Sequence, residues 1–480
     1  MHRTLTVSLD VGTSGCRAAA IRTDGSIAFV YQTPLVPLRP QEGLSEYQAE
    51  DLLNVARKTL HKVLDAVGPQ QVAALAITSQ RSTIVLWDKT TGNAIGPVLT
   101  WEDGRASKQV QEAPISQEEI HLKTGLYKTP FFSAPKIAWC FQNFSQAKEL
   151  VKQKRLLAAP VASYIIWHLT DGKTFATDYS LAQRTLLFDI QSLTWDPRLC
   201  QAFGIPIEIL PQVLPSAADY GCCVYQGVSI PIRTCVGDQQ ACATYFALTA
   251  SHSLINYGTG AFWLYHTGER PIVLPGMLTS VSADCTIQEP SYMLEGPVNA
   301  AGSALLWLRA QGITFNDEEL DALCSCAANP VRFLPAFGGL GAPYWDFMVP
   351  TAIEHVSTKT RKSDWIAGVV QSVAFLLADI AVYLQENGCN VTGPIWVSGG
   401  LSHINYLTAF QANILQQDLH VSLQADATIL GAALLAARKQ GLCSSFKPQY
   451  KLVSPDIDKT NGQALYVEWK KFVTRCRQNH

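Results

Sequence analysis

The segment Leu9–Ala19 reads LDVGTSGCRAA, and the fold is inferred outward from this stretch. The β-rich run Thr4–Leu9 predicts a strand, and Cys16–Ile21 predicts a second strand after the turn residues Asp10–Gly15. Glycines in such a turn let the backbone approach a ligand closely, and successive N–H groups form a concave anion site. The segment therefore predicts strand, phosphate-binding turn and strand.

Four side chains of this segment are candidates for phosphate chemistry: Asp10, Thr13, Ser14 and Arg17. The hydroxyls of Thr13 and Ser14 add donors to the turn. A carboxylate beside phosphate oxygens needs a bridging cation, so Asp10 indicates a Mg²⁺ site, reached through water. The alternative is an ordinary hairpin in which Asp10 only opens the turn.

A similar unit returns about halfway along the chain. Ser253–Tyr257 predicts a strand, Gly258-Thr259-Gly260 a turn and Ala261–Tyr265 a second strand. Two such units suggest a duplicated domain, although a Gly-Thr turn seen twice is weak evidence by itself. We expect one domain over residues 1–248 and another over residues 249–480.

The remaining segments alternate between the strand and helix patterns, which is typical of α/β architecture. Further strands are predicted at Val72–Thr78, Thr83–Trp87 and Pro394–Val397, and helices at Ala49–Val67, Gly302–Gln311, Ser363–Gln385, Tyr406–Gln417 and Thr428–Gln440. The apolar run Ile366–Leu384 is long enough for a membrane span, but Gln371 and Asp379 interrupt it. We interpret it as a buried core helix, so no membrane span is expected.

Composition narrows the class of protein. The 480 residues are 48% hydrophobic and 16% charged, which suits large buried cores and excludes wholesale disorder. The 37 Lys and Arg nearly balance the 39 Asp and Glu, so no nucleic-acid partner is expected. Thirteen scattered cysteines without repeated C-x-x-C spacing favour buried thiols in a reducing, cytoplasmic compartment.

Asp238 is the candidate general base. It follows the apolar run that ends at Val236, where a strand end would present it to a substrate hydroxyl. The alternative is a helix N-cap, because Gln240–Ala243 favours a helix. The glycine-rich stretches Phe337–Asp346 and Trp396–Leu401 are either phosphate-contacting turns or ordinary ones. Walker and strand-borne G-x-G-x-x-G motifs are absent from the sequence.

Taken in order, these motifs resemble the FGGY carbohydrate kinase family, and within it the glycerol kinases most closely. The resemblance spans nearly the whole chain: Leu9–Ala19, Ala76–Gly92, Leu99–Ala106, Thr124–Trp139, Val236–Ala241, Asn256–Phe262, Leu294–Arg309, Pro335–Asp346 and Val397–Leu415. It implies two ribonuclease H-like domains of the actin/Hsp70 type, with ATP in the central cleft. Oligomers implied by the family are a homodimer or a homotetramer.

The resemblance also implies a role for each site residue. Catalysis is expected of Asp238, Asp10 and Arg17, with Mg²⁺ at Asp10. ATP contacts are expected at Thr13, Ser14, Gly258, Thr259, Gly302, Gly399, Gly400 and Asn405. A small polyol or sugar, with glycerol as the first candidate in view of the family, is expected to contact Arg81, Ser82, Trp101, Phe131, Asp238, Gln239 and Phe262.

Several positions depart from the glycerol kinase pattern. Ser82 stands where these enzymes carry glutamate, and Phe131 stands where they carry tyrosine. On the adenine side, Leu306 replaces a glutamine and Ile404 an asparagine, although Asn405 follows. Two lost hydrogen bonds at about 1–3 kcal/mol each would weaken glycerol recognition by roughly a hundredfold. A kinase for a pentulose or tetritol, or a nucleotide-binding protein without activity, are therefore the alternatives.

Overall fold

A computed structural model describes residues 3–442 and 446–478 of the chain. In chain order the strands are β1 (Leu5–Val11), β2 (Gly15–Ile21), β3 (Ile27–Pro34), β4 (Glu46–Tyr47), β5 (Val72–Ser79), β6 (Ile84–Asp88), β7 (Val98–Leu99), β8 (Leu156–Pro160), β9 (Ala176–Asp178), β10 (Phe188–Asp189), β11 (Thr194–Trp195), β12 (Gln212–Leu214), β13 (Cys222–Tyr225), β14 (Val228–Gly237), β15 (Ser253–Tyr257), β16 (Ala261–Gly268), β17 (Leu278–Val281), β18 (Tyr292–Val298), β19 (Arg332–Leu334), β20 (Ala352–Glu354), β21 (Ile395–Gly399), β22 (Leu419–Ser422) and β23 (Tyr450–Val453).

The helices are α1 (Ala49–Val67), α2 (Ser107–Glu112), α3 (Gln117–Thr124), α4 (Ser133–Asn143), α5 (Ser145–Lys152), α6 (Val161–Leu169), α7 (Tyr179–Gln183), α8 (Pro197–Ala202), α9 (Asp238–Tyr245), α10 (Gly302–Ala310), α11 (Leu320–Ser325), α12 (Lys362–Glu386), α13 (Asn405–Leu415), α14 (Ala427–Lys439) and α15 (Lys459–Gln478). The predicted strands and helices named above all appear, with ends that differ by at most three residues.

Two large mixed sheets repeat one topology. The first has the order β13-β14-β5-β1-β2-β3 and the second has the order β17-β18-β16-β15-β21-β22-β23. In each sheet the strand before the glycine turn pairs antiparallel with the strand after it and parallel with a later strand, β5 or β21. The α/β fold class and its duplicated unit are therefore confirmed.

The segment Val72–Trp87 differs from a simple pair of neighbouring strands. β5 lies inside the first large sheet, whereas β6 joins β4, β7 and β8 in a separate four-stranded sheet. The chain therefore leaves one sheet at Ser79 and enters the other at Ile84. The turn between them places Arg81 and Ser82 at the junction of two layers.

Helix α12 forms the core of the second half of the chain. It is the one helix in the described residues that is long and apolar enough to cross a membrane, and 83% of its most apolar window is buried inside the protein. Asp379, within it, is buried and accepts hydrogen bonds from Tyr466 and Trp469 of α15. The prediction of a buried core helix is confirmed.

Helix α14 connects the two halves of the chain. It packs against α9 and β5, which belong to the first half. The approach is closest at Gly431, where an added Cβ would lie 1.8 Å from the carbonyl oxygen of Ala241. Only glycine permits such a close helix–helix contact at this position. The two halves of the chain are thus joined by a tightly packed helix pair, α9 and α14.

Candidate active site

The two glycine turns are built alike. In the first, Gly12 N–H donates to the Gly15 carbonyl at 3.0 Å; in the second, Gly258 N–H donates to the Gly260 carbonyl at 2.8 Å. A Cβ on Gly15 or on Gly260 would lie 2.6 Å from a backbone oxygen of the neighbouring strand, that of Thr33 in β3 or of Val298 in β18. Backbone contact therefore demands glycine at the same place in both turns. Ser14 is exposed at the tip of the first turn, and Thr259 at the tip of the second.

Asp10 lies within β1, directly opposite Arg17 of β2, so it does not open the turn. Burial raises the pKa of Asp10 to about 7, the Asp238 carboxylate adds to this rise, and Arg17 opposes it. Its Oδ1 is buried and has no hydrogen-bond partner among the described residues. An orphaned buried carboxylate oxygen is suited to a cation or to a water bound to one. Arg17 forms an ion pair with Asp426, just before α14.

The predicted nucleotide glycines surround the second turn. Gly302 begins α10, and its N–H donates to the Gly258 carbonyl at 3.1 Å. A Cβ on Gly302 would lie 2.9 Å from that same oxygen. Gly399 has φ +96°, and an added Cβ would lie 2.2 Å from the Tyr257 carbonyl oxygen. A Cβ on Gly400 would meet open space, which leaves its backbone accessible.

The other residues predicted to contact the nucleotide lie away from the glycine turns or have other partners. The Asn405 side chain donates to Asp321 at 2.7 Å and accepts from Lys451, so its hydrogen bonds do not run to the glycine turns. Leu306 on α10 is 58% exposed, whereas Ile404 is buried. The stretch Phe337–Asp346 is a loop rather than the start of a helix, and it offers no helix N-terminus to phosphate.

The first turn also contacts the predicted acceptor pocket. Trp101 Nε1 donates to Thr13 Oγ1 at 3.0 Å, and the Tyr47 hydroxyl donates to the Thr13 carbonyl at 2.6 Å. The Trp101 ring is 38% exposed and the Phe131 ring 43% exposed. Trp101 therefore lies against the turn with part of its side chain accessible, and the Phe131 side chain is accessible as well.

Arg81 lies at the centre of the predicted acceptor pocket. Its Nε is 3.5 Å from Asp238 Oδ1, and its guanidinium carbon is 5.9 Å from the Phe262 ring centre. Both of its terminal nitrogens donate to Glu295 of β18, at 2.7 and 2.9 Å. Neighbouring Gln239 accepts from Asn256 at the end of β15. The structure thus brings Arg81, Asp238, Gln239 and Phe262 together across the cleft.

Asp238 is the first residue of α9, and the N-cap position belongs to Gly237. Burial raises the pKa of Asp238, and Arg81 and the Gln239 N–H oppose the rise. Its backbone is held in place from below, because Gly237 N–H donates to Ser180 Oγ at 2.9 Å and Ser180 donates to Asp178 at 2.6 Å. The Asp238 side chain is 31% exposed, so a substrate hydroxyl can reach the carboxylate, while its backbone is held in place.

Three charged residues at the cleft were missed in the sequence: Arg184, Glu295 and Asp426. Burial opposes ionisation of Glu295, yet Arg184 and Arg81 lower its pKa to about 2. Arg184 donates to Glu295 and to Ser280. No local spacing connects these residues with Arg81 or Arg17, so the sequence carried no signal for either ion pair.

Ser82 departs from ordinary backbone geometry. It has φ +63°, in the left-handed region that non-glycine residues seldom adopt, and its side chain is buried. A single polar hydroxyl therefore occupies the place beside Arg81.

The chain matches models of a known protein family over most of its length. The N-terminal domain model of the FGGY family of carbohydrate kinases matches residues 5–244, and the C-terminal domain model matches residues 253–439. A glycerol kinase of Malacoplasma penetrans is 35% identical over 98% of this chain and 97% of its own length. A glycerol kinase of Pseudothermotoga lettingae is 34% identical, with the same coverage of both chains.

Solved structures agree with the fold. A crystal structure of Plasmodium falciparum glycerol kinase with ADP superimposes with a TM-score of 0.91, at 26% identity and 98% coverage of both chains. A ligand-bound xylulose kinase of Lactobacillus acidophilus gives a TM-score of 0.85 at 20% identity, covering 99% of this chain and 98% of its own, which supports the fold alone. The prediction of an ATP-dependent kinase with two actin-like domains is confirmed at the level of the family. The chain belongs to the FGGY family of carbohydrate kinases.

Proposed function

We propose that this protein transfers the γ-phosphoryl group of ATP to a hydroxyl of a small polyol, with glycerol as the first candidate and glycerol 3-phosphate as its product. The observation that carries the proposal is Arg81 Nε lying 3.5 Å from Asp238 Oδ1, with the arginine side chain 9% exposed and the aspartate side chain 31% exposed. Two full-length glycerol kinase relatives at 34% and 35% identity support glycerol as the acceptor. In this proposal the two glycine turns bind the phosphates of ATP.

Asp238 is the general base. Its partly exposed carboxylate would accept the proton of the acceptor hydroxyl as that oxygen attacks phosphorus in line. Arg81 anchors another acceptor hydroxyl, while Trp101, Phe131 and Phe262 contact the carbon chain. The N–H groups and hydroxyls of Thr13, Ser14 and Thr259, together with Arg17, hold the transferring group. Arg17 would have to exchange its ion pair with Asp426 for phosphate oxygens.

Asp10 fits a Mg²⁺ site because its Oδ1 is buried and lacks a partner among the described residues. Within residues 3–442 and 446–478, no group of three or more His, Cys, Asp and Glu side chains forms a complete metal site. The cation would therefore be held by Asp10 together with water and ATP oxygens. When bound, Mg²⁺ neutralises phosphate charge during transfer.

The proposal includes the organisation of the chain. We assign acceptor binding and the base to a domain of residues 1–248, and nucleotide binding to a domain of residues 249–480. Unpaired thiols at every described cysteine are consistent with a cytoplasmic location. A homodimer or homotetramer is the oligomeric state that the family suggests.

A second acceptor class is favoured by one observation. Ser82 is buried beside Arg81, and Phe131 presents a ring without a hydroxyl, so the pocket has fewer polar groups for glycerol. Serine at position 82 is smaller than glutamate, and a pentulose or a tetritol would occupy the space that this difference leaves. Both candidates share the base, the nucleotide turns and the reaction.

The test is ADP release by the purified protein with Mg-ATP. Glycerol is compared with a panel of four- and five-carbon polyols and ketoses, using the wild type and Asp238→Asn. Asp219→Asn is the matched control, because Asp219 is an exposed carboxylate whose ion pair with Arg233 lies at the surface. We expect glycerol to give the highest rate and Asp238→Asn to lose at least about a hundredfold, as general bases typically contribute.

Each other outcome has a definite meaning. A higher kcat/KM for a ketose or tetritol would replace glycerol and leave the mechanism in place. Rates of the wild type that do not exceed those of Asp238→Asn on any acceptor would contradict the catalytic proposal. Tight ATP binding without turnover would then favour a nucleotide-binding regulatory protein.

A further inference from the structure

Lys136 is a completely buried lysine on α4 that the mechanism above does not use. An ammonium removed from water is costly unless hydrogen bonds replace its hydration. Its Nζ donates to three backbone carbonyls, those of Thr100 at 2.5 Å, Phe131 at 2.6 Å and Ser82 at 3.3 Å. Three acceptors match the three N–H bonds of a charged amine.

The three carbonyls belong to three segments that are far apart in the sequence. Ser82 follows Arg81 in the turn between β5 and β6, Thr100 immediately precedes Trp101, and Phe131 carries the third carbonyl itself. Each segment therefore supplies one predicted wall or anchor of the acceptor pocket. One buried amine connects all of them.

The hydrogen bond from Lys136 to the Ser82 carbonyl supports a residue in an unusual backbone conformation. A left-handed conformation costs an ordinary residue about 1–2 kcal/mol, so the φ of +63° needs support from its surroundings. Ser133 Oγ donates to the same Ser82 carbonyl at 3.4 Å, so α4 holds this carbonyl with two side chains. The held turn directs Arg81 over Gly237, where an added Cβ would lie 3.0 Å from Arg81 Cγ.

We propose that Lys136 is a positioning residue for the acceptor: by holding the carbonyls of Ser82, Thr100 and Phe131, it sets the distance between the anchor Arg81 and the apolar wall. The inference rests on the proposed function of this site. Lys136 does not touch the acceptor, so its loss should impair acceptor binding more than ATP binding.

The protonation state of the amine supports this role. Burial lowers the pKa of Lys136 to about 7, the Asp103 carboxylate opposes the fall and Arg105 adds to it. The neutral amine has only two N–H bonds and would leave one of the three carbonyls without a donor. The complete network therefore requires the ammonium form.

The test compares Lys136→Met with Lys128→Met in the full chain. Lys128 is the matched control, because its Nζ also donates to two backbone carbonyls, of Ala113 and Ile115, both at 2.9 Å. For Lys136→Met we expect the KM for glycerol to rise about tenfold or more, since small misplacements of binding groups have effects of this size. The KM for ATP should change less than about twofold, and Lys128→Met should leave both constants unchanged.

Lys136→Ala with added propylammonium provides the second measurement. The cation replaces the missing chain and its N–H donors, so the acceptor KM should fall toward the wild-type value, while tetramethylammonium, which has no N–H, should have no effect. This measurement also decides the question if Lys136→Met fails to fold.

Three results would overturn the inference. The first is a Lys136→Met variant with a wild-type acceptor KM. The second is an equal rise of both KM values without rescue by propylammonium, which would indicate a general structural role. The third is a wild type inactive on every acceptor, which would overturn the proposed function as well; the first two leave that function intact.

Discussion

Replacing Glu295 by glutamine removes one negative charge from a buried cluster that joins the two sheets. Glu295 Oε1 accepts from Arg81, and Oε2 accepts from Arg81, Arg184 and Ser280. Both arginine side chains are buried, with exposed fractions of 9% and 4%. The variant therefore leaves two buried guanidinium groups that share only the partial compensation of Asp238.

The size of the effect follows from the pKa of Glu295. The cluster lowers this pKa from 4.5 to about 2, which corresponds to about 3 kcal/mol of folding free energy. Removing one partner from a buried ion pair typically costs about 3–5 kcal/mol, in agreement. Because the folded-state pKa is the lower one, this contribution is present above pH 4.5 and is lost as the pH falls toward 2.

The assay is urea unfolding of the wild type and Glu295→Gln at pH 7 and at pH 3, together with acceptor kinetics. At pH 7 we expect the variant to lose about 3 kcal/mol of unfolding free energy. The difference should shrink at pH 3, because Glu295 is then protonated in the unfolded wild type, with its pKa of 4.5, but still largely ionised in the folded protein. The acceptor KM should also rise, because Arg81 loses the partner that orients it.

Asp88→Asn is the matched control for this prediction. Asp88 is a buried carboxylate paired with Arg155, but that arginine is 35% exposed and the pair lies at the far end of β6. A smaller loss, about 1 kcal/mol, and an unchanged acceptor KM are expected for it. The reasoning would be refuted if Glu295→Gln matched Asp88→Asn in stability, or if its deficit stayed constant between pH 7 and pH 3.

Three further predictions concern the nucleotide turn, the acceptor and the last helix. Gly302→Ala places a Cβ 2.9 Å from the Gly258 carbonyl oxygen, so the KM for ATP should rise about tenfold while the acceptor KM stays constant; an unchanged KM for ATP would contradict this. Ser82→Glu combined with Phe131→Tyr should lower the glycerol KM by up to about a hundredfold, because it adds two hydrogen-bonding groups to the pocket. The backbone strain of a glutamate in the left-handed conformation would reduce this improvement. An unchanged glycerol KM in steady-state kinetics would argue against glycerol as the acceptor. Asp379→Asn should lower the free energy of unfolding by about 1–3 kcal/mol and speed amide hydrogen exchange in α15, because Tyr466 and Trp469 lose their acceptor. The KM for ATP should stay the same. Unchanged exchange would show that α15 packs on α12 without this carboxylate.

The local pattern was sufficient for the secondary structure. The strands on either side of Gly12–Gly15 and of Gly258–Gly260, and the helix Ala49–Val67, form as the sequence predicts, because neighbouring residues determine apolar periodicity and turn chemistry. The ordered motifs also predicted the family. Candidate phosphate-turn residues could be picked out in the sequence because a phosphate cradle of this kind would be built from consecutive residues.

The proposed acceptor pocket depends on contacts between residues that are distant in the sequence. Arg81 and Glu295 are 214 residues apart, and no spacing rule joins them before the two sheets face each other. Lys136 is a comparable case, since its three carbonyl partners lie 5, 36 and 54 residues away. Burial of a charge is likewise a property of the packed chain rather than of its neighbours in sequence.

The sequence by itself determined the α/β elements, the duplicated glycine turn and the candidate base at Asp238. Tertiary structure alone decided which charges neutralise each other: Arg81 and Arg184 with Glu295, and Arg17 with Asp426. The physical reason is the distance along the chain over which each interaction acts. Turns and periodicity arise from interactions over a few residues, whereas desolvation and ion pairing depend on which distant segments the fold brings into contact.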